Sequence, residues 1–138
     1  MNKLTYLPQA ANKCLKVEAD TPEELFLGAL QGMANLLKEG SCGGNIPSQL
    51  IHKISICSAD LTSLLMDFLC QTLNLCHNYS AVFCKLSIDQ LESTSIDGCL
   101  YGHYVEEFSH EIKSVTSPEG TVQQPETGTW QTELVFGL

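Results

Sequence analysis

Arginine is missing altogether, and seven Lys face sixteen Asp and Glu, for a formal net charge of −9. Proteins that hold nucleic acid unaided present clustered Lys and Arg, because neutralising phosphates and releasing counterions drives that binding. The nearest approach to a cluster is Lys13 with Lys16, which is too little. No direct nucleic-acid binding is expected, and any RNA would be handled by a partner. Long apolar runs are also lacking. The most apolar stretch, 61–76, is interrupted by Thr62, Ser63, Asp67, Gln71, Thr72 and Asn74, and the first thirteen residues, MNKLTYLPQAANK, hold no signal-like core. The expectation is a soluble cytoplasmic protein with no membrane partner, in which the sequon Asn78-Tyr79-Ser80 has no meaning. Repeats, low-complexity tracts and linkers are absent too, so residues 1–138 are expected to form one domain.

Cysteine is abundant, seven in all, but the number is odd and no pair has C-x-x-C spacing. Most are therefore expected to be reduced, small apolar core residues. With 138 residues and 43% hydrophobic content, the chain can bury a core without disulfide or metal staples.

Residues 13–19 alternate, with Leu15, Val17 and Ala19 on one side and Lys16 and Glu18 on the other, as a strand with one wet face does. Thr21 then caps a helix whose first position is Pro22 and whose capping box is completed by Glu24. Its apolar stripe is Leu25, Phe26, Ala29, Leu30, Met33, Leu36 and Leu37, and Gly40 stops it. The stretch Gly40 to Asn45 has no Gly-Lys-Ser/Thr ending and follows a helix, so it reads as a turn and not a phosphate loop. Residues 50–57 read as a strand. Asp60 or Ser58 caps a second helix with a stripe at Leu61, Leu64, Leu65, Phe68, Leu69, Thr72, Leu73 and Cys76. Its opposite side is barely charged, which suits cover by a sheet on one side and a partner on the other. Strand-like stretches follow at 80–88, 97–106, 110–116 and 129–136. The predicted fold is α+β, a single domain with two helices packed on one face of a largely antiparallel sheet, in the order βαβαββββ.

Three groups of residues raise the question of chemistry. Cys99 and His103 share a predicted strand face, with His110 beyond, but zinc would need a second pair of ligands that the sequence does not supply. Many Cys and His could meet by chance, yet none sits in a recognisable nucleophile signature, and the chain is read as not an enzyme. Glu111 and Lys113 project from one strand face beside each other, which by periodicity alone is a weak surface ion pair.

Four fragments resemble the archease family in its order and spacing: Thr21-Pro22-Glu23-Glu24-Leu25-Phe26 is similar to T-x-E-E-x-F, and Leu64 to Leu69 to L-L-x-D-W-L with Phe68 for Trp. Glu111-Ile112-Lys113-Ser114-Val115-Thr116 is close to E-I-K-A-V-T, and Gly128 to Phe136 to the terminal G-x-W-x-x-x-V-x-x strand. The resemblance implies an accessory protein that promotes guanylylation and turnover of an RNA ligase of the tRNA-splicing type. It places Glu111 and Lys113 at the partner or nucleotide contact. The family also carries a divalent metal on acidic side chains, from an N-terminal D-H-T-A-D motif and a C-terminal L-D-I ending. Here those positions fall on Pro8 to Asn12, ending in Asn12, and on Gly137. Neither charge is present, and the His after E-I-K-A-V-T-Y gives way to Ser117-Pro118. Hard cations lose affinity as carboxylates are removed. No cofactor is therefore expected, the alternative being a weakly bound divalent cation such as calcium. The alternative function is a diverged archease fold kept as a protein-binding or chaperone-like module.

Overall fold

The computed structural model describes residues 2–7, 12–43, 47–117, 122–123 and 128–138. The chain runs β1 (Asn2–Leu7), β2 (Asn12–Ala19), α1 (Pro22–Leu37), β3 (Leu50–Cys57), α2 (Leu61–Tyr79), β4 (Ala81–Glu92), β5 (Ser95–Tyr104), β6 (Ser114–Thr116) and β7 (Trp130–Gly137). The α+β class, the two helices and the antiparallel pairing are as expected. The strands divide between two sheets, a four-stranded one in the order β1-β2-β7-β6 and a three-stranded one in the order β3-β5-β4. Helix α1 packs on β2 of the first and β4 of the second, so it joins them, while α2 packs on β3, β4 and β6.

Both helix starts follow their sequence signals. The Glu24 amide donates to Thr21 Oγ1 at 3.2 Å, and the Ser63 amide donates to Asp60 Oδ1 at 2.8 Å. Of the two cap candidates for α2, Asp60 takes the cap, and Ser58 instead donates its hydroxyl to Asp67 Oδ2 at 2.9 Å. Every residue of the α1 stripe is buried. So is every residue of the α2 stripe except Leu61, which is half-buried. The stripes meet through Phe26 and Phe68, whose ring centroids lie 5.4 Å apart. Gly32 lets α1 approach β2 closely: a Cβ there would collide with the Leu15 side chain, and the Gly32 carbonyl accepts a hydrogen bond from the Tyr6 hydroxyl at 2.8 Å.

Two strand expectations need correcting. Residues 2–7 form β1, a strand absent from the expected order; Leu4 and Tyr6 do alternate with Lys3 and Thr5, but six residues carry little signal until β2 pairs with them. The strand expected over 110–116 is confined to 114–116, because Ile112 turns into the core and the Lys113 amide bonds the Gly137 carbonyl at 2.7 Å where β7 ends.

Five cysteines are free, but only Cys14 and Cys76 are buried, while Cys57 and Cys70 are exposed. Cys42 and Cys84 form a disulfide with a Cα–Cα distance of 5.4 Å. Cys84 is the extra residue of a β-bulge, since the β4 register passes from Phe83 opposite Gly102 to Lys85 opposite Tyr101. Such a bulge re-aims a side chain out of the ladder.

Burial pushes the Cys76 thiol up to about 12 from an ordinary value of 9.0. The folded state therefore holds this proton where the unfolded chain releases it. The resulting stability is present in full below the unfolded value and is lost as pH rises from 9.0 towards 12. Denaturation midpoints measured across that range should fall less steeply in a Cys76→Ala chain than in the parent; equal slopes would count against this account.

Candidate functional site

One end of the four-stranded sheet collects the positions that the family resemblance singled out. Strand β2 begins at Asn12, β7 ends at Gly137 and β6 begins at Ser114, and the register sets Asn12 opposite Gly137 and Gly137 opposite Ser114. Two positions at opposite ends of the sequence thus become cross-strand neighbours. The residues of the N-terminal motif before Asn12 lie outside the described residues, and Asn12 enters through its backbone alone.

These residues do not fit a divalent cation held by carboxylates. Gly137 offers no side-chain oxygen, and the space a Cβ would take there is filled by the Ser114 hydroxyl. Among the described residues, no group of three or more His, Cys, Asp and Glu could hold a metal ion. Cys99 and His103 do not assemble a site either. Four residues along a strand separate them by roughly 13 Å. His103 is buried, and burial lowers its imidazole below the usual range, favouring the neutral ring.

Beside the strand end lies a groove of about 490 Å³ between α2 and the segment leading into β6, lined by Leu73, Asn74, His77, Asn78, Glu111, Ile112 and Lys113. Its floor is fixed by Ile112, only 1% exposed, so Glu111 and Lys113 are turned outwards on either side of a buried anchor. The loop that carries them is tied at three points. The Val105 amide donates to the Ser80 carbonyl at 2.9 Å, Ser109 to Leu37 at 2.6 Å and Lys113 to Gly137 at 2.7 Å. His77 is held by stacking on Phe108, with centroids 5.7 Å apart and planes at 25°.

The two residues predicted for the contact are therefore together, but they form no ion pair. Among the described residues the Lys113 ammonium has no acidic partner within salt-bridge distance. A lysine left unpaired, beside the amides of Asn74 and Asn78 and the His77 ring, suits a carboxylate or phosphate supplied by another molecule. Among the described residues that line it, the groove offers no nucleophile with a positioned base.

The chain matches the model of the Archease protein family over residues 5–137. It belongs to the archease family. The fold agrees: the solution structure of Methanobacterium thermoautotrophicum protein 1598 superposes with a TM-score of 0.76 at 20% identity, covering 98% of each chain. The crystal structure of an archease from Thermotoga maritima, described as a possible chaperone, gives a TM-score of 0.62 at 12% identity over 96% of this chain and 94% of that one. Among curated proteins, none matches. Within the archease pattern, the structure adds Asn74, His77 and Asn78 to the predicted pair. Their spacing of three, four and one along α2 was a readable signal, a polar edge on the side left for a partner.

Proposed function

We propose that this archease is a non-enzymatic accessory protein that promotes guanylylation and turnover of an RNA ligase of the tRNA-splicing type, without a divalent metal of its own. Family membership supports the accessory role. The observation that carries the ligase reading is Lys113. It stands in the family's E-I-K position, tied by its amide to Gly137 and unpaired among the described residues, on a groove that a partner's acidic group can enter. The acidic surface and the absence of Arg support action through the protein partner and not through RNA. Gly137 and the Ser114 hydroxyl support metal independence.

The test is multiple-turnover ligation by such a ligase with and without this chain. Stimulation is expected, and Lys113→Ala should reduce it by about tenfold or more, since a charge-assisted hydrogen bond is worth about 1.5–3 kcal/mol. No stimulation by the parent chain would favour the protein-binding module; equal stimulation by the variant would remove Lys113 from the contact. Calorimetric titration of the isolated chain with calcium or manganese should give no saturable heat at millimolar concentration. An Asn12→Asp, Ser114→Ala, Gly137→Asp chain should acquire it. Saturable binding by the parent would overturn the metal-free reading.

A further inference from the structure

On the other side of the loop that carries Lys113, a cavity of about 600 Å³ opens between α1 and the β1–β2 pair. Among the described residues its lining shares nothing with the Lys113 groove. One wall is the polar pair Gln31 and Asn35 of α1, four residues apart, continued by Glu39 in the turn just beyond the helix end; the floor is Leu36 with Leu4, and Lys13 stands at the rim. Four residues of helix rise about 6 Å. That nearly equals the roughly 6.6 Å repeat over which an extended chain presents successive peptide groups on one side. Side-chain amides carry both a donor and an acceptor, as a peptide group does. Gln31 spends one donor on the Cys84 carbonyl, at 3.3 Å, and keeps its own carbonyl oxygen. Asn35 is half-buried, and among the described residues its amide has no hydrogen-bond partner. Glu39 is exposed just beyond the helix end and is the one carboxylate among the described lining residues, which also include Lys13 and His110, in a chain whose net charge of −9 draws in basic ligands.

We infer that this cavity binds a short extended segment of a partner protein that carries an apolar and a basic side chain. Its main chain meets Asn35 and Gln31, its apolar side chain covers Leu4 and Leu36, and its basic side chain pairs with Glu39. Lys13 is left to donate to a main-chain carbonyl. The inference does not rest on the ligase reading, because the Lys113 groove is untouched by it.

The experiment titrates the isotope-labelled full chain with three acetylated, amidated tetrapeptides, one of leucine and lysine, one of leucine and glutamate and one of serine and glycine. The leucine–lysine peptide is expected to produce saturable shifts of the Asn35, Leu36 and Glu39 amides. Asn35→Leu, which removes both hydrogen-bonding groups, should raise its Kd about tenfold. Glu39→Gln, at an exposed position, should abolish the preference for lysine over glutamate and keeps the test decisive if Asn35→Leu does not fold. The inference is overturned if no peptide gives saturable shifts at these residues, if the glutamate peptide binds as well as the lysine one, or if a folded Asn35→Leu chain binds like the parent.

Discussion

Phe68→Ala is expected to lower unfolding free energy by about 3–5 kcal/mol, the usual cost of emptying a fully buried phenylalanine site. Phe68 is 0% exposed, and its ring meets Phe26 at 5.4 Å where α2 faces α1. Besides the transfer and cavity terms, the change removes an aromatic pair worth about 0.5–1.5 kcal/mol beyond area. Domains of this kind hold only about 5–15 kcal/mol in total. The variant should therefore sit near the edge of folding, with a denaturant midpoint far below the parent's. The archease pattern has Trp where this chain has Phe68, so Phe68→Trp is a useful companion. In a site already filled, the larger ring should cost about 1–3 kcal/mol instead of stabilising. A Phe68→Ala chain with a midpoint unchanged from the parent would mean that the helices are not joined through this residue.

Breaking the Cys42–Cys84 bond should be the next largest effect. The bond closes a sequence separation of 42 residues. On the chain-entropy account, a loop of that size is worth about 4 kcal/mol at most, and typical removals cost about 2–5 kcal/mol. The bond fastens the turn after α1 to the bulge of β4, beside Ser41, whose hydroxyl donates to the Ala34 carbonyl at 3.2 Å. Guanidinium denaturation with and without a thiol reductant measures the effect directly. The same shift is expected for Cys84→Ser, and in that variant reductant should do nothing further. Identical midpoints for parent and variant under oxidising conditions would show that the link contributes no stability.

Local signals in this chain were strong where one residue's chemistry is enough. Thr21 and Asp60 were legible as caps because a short acceptor before an apolar stripe has few other uses, and both stripes were legible because burial follows the helical period. The cysteines were not legible in the same way. Neither Cys42 nor Cys84 stands in a spacing motif, and only the bulge and the turn after α1 bring them together. Family resemblance found Lys113 but could not find Asn74, His77 and Asn78 beside it, since these lie on another element.

By itself, the sequence determined the helices, most of the strands, the acidic surface and the loss of carboxylates at Asn12 and Gly137, all properties of short segments or of composition. Tertiary structure alone decided that the strands form two sheets, that Asn12, Gly137 and Ser114 stand side by side, and that a hydroxyl fills the space at Gly137. The reason is physical. Caps and stripes are set by neighbours within one or two helical turns, whereas strand order and the grooves between elements depend on residues far apart in the chain, which meet only when the core closes.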